Sequence, residues 1–175
     1  GQPIQQLFHL GDHDFGGFAH KYPWAKKSSK DPDAVNHALV NEDIGAIWER
    51  LFHEKWAPIQ VKQVKGYTFV GGSWSRGPFH VDGAPQWLRA HADELKGEKP
   101  FFYIQHPHPK GTLFSYWGKG AEDGGQLTEF LKDYPNAVSF SGHSHMGLTD
   151  DRSVWQGAFT AINTCTLRQI STPYG

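Results

Sequence analysis

Four short apolar runs, Gln6–Leu10, Tyr67–Val70, Phe101–Ile104 and Ala137–Phe140, are each followed by a polar loop bearing glycine or histidine. A fifth, Ala158–Leu167, alternates and is rich in β-branched residues, so all five read as strands. Helical spacing falls between them. Ile44, Ile47, Trp48, Leu51 and Phe52 recur at i, i+3, i+4, i+7 and i+8, with Asn41 as N-cap. Trp87, Leu88, His91 and Leu95 make a second stripe, entered at Pro85 and stopped by Gly97. Leu127, Phe130, Leu131 and Tyr134 make a third, with Asp123 and Gln126 spaced as a capping box. Strands alternating with helices predict an α/β layered domain occupying residues 1–175 as one unit. Gly16–Glu42, rich in Gly, Pro, Ser and Lys without a period, reads as the longest loop.

Composition narrows the function classes. At 175 residues the chain is long enough for one core, and 38% hydrophobic with 14% aromatic residues is too apolar for a disordered tail. No run approaches the ~18 apolar residues of a membrane-spanning helix, and no signal segment opens the chain. A net charge of -1 disfavours a broad nucleic-acid or anionic-membrane surface. The single cysteine, Cys165, excludes an internal disulfide and reads as a small core residue in a strand. Trp48, Trp56 and Trp87 read as core aromatics. The chain begins with Gly1-Gln2-Pro3 rather than Met, as a processed or cleaved terminus would.

Histidine changes the picture, because there are 11 and they cluster. Leu10 is followed by Gly11-Asp12-His13-Asp14, Ile104 by Gln105-His106-Pro107-His108-Pro109, and Phe140 by Ser141-Gly142-His143-Ser144-His145. In α/β sheets ligands bind outside the carboxyl ends of strands, where such loops converge. Imidazole nitrogens and carboxylate oxygens are the ligands that Zn, Mn and Fe accept. Each segment alone has a plainer reading as an Asx turn or polar strand end; three together at strand ends point to a metal site. Trp74-Ser75-Arg76 and Trp117-Gly118-Lys119 are solvated loops or substrate contacts, with Arg76 a candidate for binding phosphate.

At these residues the chain resembles the calcineurin-like metallophosphoesterases. Gly142-His143-Ser144-His145 matches their last motif, Gly-His-x-His. Tyr103-Ile104-Gln105-His106-Pro107 matches their lone-His motif, and Gly11-Asp12-His13-Asp14 resembles Gly-Asn-His-Asp with Asp in place of Asn. Lys65–Gly72 and Gln86-Trp87-Leu88 resemble the intervening strand and helix, so the likeness spans about residues 7 to 167. The family's Asp-x-His and Gly-Asp-x-x-Asp motifs, which precede these, have no room before Gly11.

The resemblance therefore implies the C-terminal portion of an α-β-β-α sandwich, incomplete at its N-terminus. It also implies hydrolysis of a phosphoester by a hydroxide activated between two metal ions, Mn, Fe or Zn. Asp12, His106, His143 and His145 would be metal ligands. His13 would be the general acid, with Asp14 orienting it, and His108 would face the substrate or solvent. Two other readings stay open: an inactive binding or scaffold member holding one metal or none, and a mononuclear zinc hydrolase on His106, His143 and His145.

Overall fold

The computed structural model describes residues 5–11, 45–74 and 83–166. Within them, helix α1 (Gly45–Phe52) precedes β1 (Ile59–Val64) and β2 (Tyr67–Gly72). Helices α2 (Ala84–Ala90) and α3 (Ala92–Leu95) lead into β3 (Phe101–Gln105). Helix α4 (Gln126–Leu131), β4 (Ala137–Ser141), β5 (Val154–Gln156) and β6 (Thr160–Asn163) complete the set. The strands form one six-stranded sheet in the order β1-β2-β3-β4-β6-β5. The four central strands are parallel, and β1 and β5 pair antiparallel at the two edges. The protein is thus a mixed α/β fold, and none of the helices among the described residues is long and apolar enough to cross a membrane.

Alternation sets the two faces of the sheet. Phe101, Tyr103 and Gln105 of β3 are buried, as are Ala137, Ser139 and Ser141 of β4, and these pair in register. On that face Val70, Phe101, Tyr103, Ala137 and Ala161 pack with Leu88, Leu95, Leu127, Leu131 and Tyr134 from the helices. The other face carries a row of half-buried rings. Phe69 stacks on Phe102 at 4.5 Å between centroids, and Phe102 lies 6.2 Å from Phe140.

Several expected elements differ. Residues 5–11 form no strand. Both edges of β2 are taken by β1 and β3, so this segment lies over the sheet, with Leu7 filling the space above Gly71. It is anchored beyond the strand end, where the Leu10 carbonyl accepts from the Trp74 N–H at 2.8 Å and the Leu10 N–H donates to Ser73 Oγ at 3.1 Å. Phe8 stacks on Phe52 at 4.1 Å, in a cluster centred on buried Trp48. Strands β1 and β5 are additional to those expected. The hairpin joining β1 to β2 turns through Lys65 (φ 51) and Gly66 (φ 76), the pair of left-handed residues a two-residue turn of this twist requires.

The stripe expected to run from Trp87 to Leu95 as one helix is broken at His91, whose ring stacks on Trp87 at 4.0 Å and places Nδ1 2.8 Å from the Trp87 carbonyl. The last strand ends at Asn163, well short of Leu167. Cys165 lies beyond it, partly exposed and at φ 64, donating its N–H to Asn163 Oδ1. It is not a core residue of a strand. Helix α4 is capped by Gly125 without a side-chain bond, so Asp123 and Gln126 form no capping box. Asn41 and the Gly16–Glu42 loop lie outside the described residues.

Candidate functional site

Because β2, β3, β4 and β6 run parallel, the segments that leave them emerge at one end of the sheet. Ser73-Trp74 follows β2, His106–Pro109 follows β3, and Gly142–His145 follows β4. The β3 and β4 loops are tied together by the Gly142 N–H, which donates to the His106 carbonyl at 3.1 Å. Asn163, at the end of β6, donates through Nδ2 to Ser144 Oγ at 2.6 Å. Gly142 is followed by two histidines in the left-handed region, His143 at φ 56 and His145 at φ 53. That conformation is costly for a residue with a Cβ and turns the chain sharply enough to aim the rings.

His143 Nδ1 lies 3.0 Å from His106 Nε2, and His143 Nε2 lies 3.0 Å from the Gly120 carbonyl. A carbonyl only accepts, so a neutral His143 carries its proton on Nε2 and presents the Nδ1 lone pair to the N–H of His106. Trp74, 6% exposed, meets His106 at 5.5 Å and His143 at 5.6 Å. Trp117 closes another side, 5.5 Å from His143 and 5.2 Å from His145. Gly11 approaches so closely that a Cβ there would stand 2.9 Å from His106 Nδ1. Gly11 therefore lies directly against the histidine pair.

Two nitrogens bound to one ion at about 2.1 Å and at right angles stand about 3 Å apart, and the two facing nitrogens here are 3.0 Å apart. An ion seated to one side of the line between them, after loss of the shared proton, would take both nitrogens as ligands. Among the described residues no group of three His, Cys, Asp or Glu side chains converges as a metal site. His106 meets His143, and Trp117 spans His143 and His145, so the three histidines share one neighbourhood. Asp12, His13, Asp14 and Arg76 lie outside the described residues.

Of the two expectations for His108, the structure removes the solvent-facing one: the residue is 1% exposed. The reason is a backbone clasp: the His108 N–H donates to the Ala121 carbonyl at 3.0 Å, and its own carbonyl accepts from the Asp123 N–H at 2.8 Å. Burial pushes the His108 pKa down to about 4, reinforced by His143 and opposed by Glu122. Above pH 6.5 the ring is neutral folded or unfolded; below it, the unfolded chain takes up a proton that the folded chain refuses until about pH 4. Stability is therefore expected to fall by about 3 kcal/mol between those values. Urea unfolding of the metal-free protein at pH 7 and pH 4.5 checks this, with His108→Gln as the control. An equal pH slope in that variant would assign the loss to other groups.

Sequence reasoning passed over Asp123 as anything but a cap. Its carboxylate is 8% exposed and accepts from Gln105 Nε2 at 2.9 Å, the Lys110 N–H at 3.1 Å and the Gly125 N–H at 2.8 Å. Gln105 Nε2 also donates to the Pro107 carbonyl at 2.9 Å. One carboxylate thus grips both ends of the loop that carries His106. Burial raises the Asp123 pKa, against the lowering effect of those three hydrogen bonds. Nothing in the local sequence signals this, because the partners lie 18 and 13 residues away.

No protein-family model matches the chain, and neither a curated protein nor a solved structure matches it.

Proposed function

We propose that this chain is the C-terminal portion of a metallophosphoesterase domain and hydrolyses phosphate esters. The observation that carries the reading is the His106–His143 contact at 3.0 Å, made by two strand-end loops 37 residues apart that belong to the motifs matched in sequence. His106, His143, His145 and Asp12 would hold the metal ions. Such ions supply Lewis acidity toward phosphate oxygens and a hydroxide nucleophile at neutral pH. His13 would deliver a proton to the departing ester oxygen, and Asp14 would hold that imidazole in the required tautomer. Arg76 would bind a phosphate oxygen.

The finer architecture belongs to the same reading. The half-buried row of Phe69, Phe102 and Phe140 is the surface on which a second sheet would pack to complete an α-β-β-α sandwich.

The test is elemental analysis after stripping and reloading with Mn, Zn or Fe, paired with hydrolysis of an aryl phosphate. About two metals per chain with metal-dependent turnover is the expected result. One metal would move the assignment to the mononuclear hydrolase, and none to a scaffold. With turnover in hand, His13→Ala is expected to slow it by about a hundredfold or more at unchanged metal content. Full-rate turnover in that variant would remove His13 from the chemistry.

A further inference from the structure

Among the described residues, three large apolar side chains open to solvent sit on the loops bordering the histidines: Tyr116 at 37%, Trp117 at 48% and Leu148 at 65% exposure. Trp117 is the one fixed against the site. Its ring meets His143 at an interplanar angle of 73° and His145 at 59°. Its backbone N–H donates to Ser115 Oγ at 3.1 Å, and Gly120, three residues on, offers the carbonyl that His143 Nε2 contacts at 3.0 Å. The loop is thus anchored on both sides of the indole. The neighbouring residue adds no crowding, since even a Cβ on Gly118 would meet nothing within 4 Å. An indole left half in water at a site's mouth, yet held in one place, is a preformed surface for stacking at little ordering cost.

We propose that Trp117 is the wall on which a planar aromatic group of the substrate stacks, so that phosphoesters carrying an aryl group close to phosphorus are preferred. The inference rests on the phosphoester reading above and adds the substrate class. A ring brought against Trp117 lies beside the His143–His145 loop, which places an attached phosphoryl group at the histidines. Stacking of this kind tolerates many ring types, because it recognises a π-face rather than a pattern of hydrogen bonds.

Phenylphosphonate and methylphosphonate differ only in the ring, and neither can be hydrolysed as an ester, because a P–C bond replaces the ester oxygen. Calorimetric titration of the metal-loaded protein with each is expected to show the phenyl compound binding about tenfold more tightly. In Trp117→Ala that ratio is expected to collapse to about one, and in Trp117→Phe to persist within about threefold. The ratio is the readout, so a general loosening of the histidine loop does not imitate the result. Equal affinities in the unaltered protein, an unchanged ratio in Trp117→Ala, or no binding of either phosphonate would overturn the proposal. A Trp117-dependent ring preference in protein that hydrolyses no ester would sink the phosphoester reading and leave the wall standing. Hydrolysis without that preference would do the reverse.

Discussion

Replacing His106 by Ala is expected to lower metal-dependent hydrolysis by at least about a hundredfold and to reduce the bound metal per chain. Outer partners of metal ligands typically contribute 10–100-fold, so a ligand itself should exceed that range. The fold should largely survive the change. His106 is half-buried at the end of β3, and its bond to His143 is worth about 1 kcal/mol to stability in ordinary circumstances. Activity and metal content should therefore fall while the urea midpoint moves little. Retained metal content with lost activity would instead place His106 at the substrate. Retention of both would break the link between the histidine pair and the chemistry.

Asp123→Ala carries the largest expected effect on folding, about 3–5 kcal/mol, a substantial share of an ordinary domain's stability. The substitution strands three donors: Gln105 Nε2 and the backbone N–H groups of Lys110 and Gly125. Asp123→Asn should cost less, because its oxygen can still accept from the two backbone groups while its amide confronts Gln105 donor to donor. Denaturant unfolding of both variants checks the order. If Asp123→Ala unfolds at the same urea concentration as the parent, the carboxylate does not hold the loop and the network's apparent role is mistaken.

Much of the fold was legible because the central strands are buried on alternate positions, and Phe101–Gln105 and Ala137–Ser141 write that alternation directly into the sequence. The edge strands were not legible. Val61 is 37% exposed and Val154 50% exposed, so neither strand needs a strong apolar period to be paired. His91 interrupted a good helical stripe through contacts with Trp87, one turn earlier, that a count of apolar positions does not register. At the site, the meeting of His106 and His143 was readable from their strand-end positions, while the tryptophans around them were ambiguous between loop and contact. The burial of His108 and the grip of Asp123 both depend on the pairing of residues 108 and 121–123, a long-range clasp without a local signature.

The two left-handed histidines bear on how this protein can change over time. A side chain with a Cβ in that backbone conformation costs about 1–2 kcal/mol relative to the right-handed form, and glycine would remove the cost at either position. A lineage or a screen rewarding heat resistance alone would therefore drift toward glycine at 143 and 145. One rewarding the chemistry would hold both imidazoles and accept a softer domain. Under the proposed function, the loop after β4 is the point at which durability and reactivity compete for the same two residues.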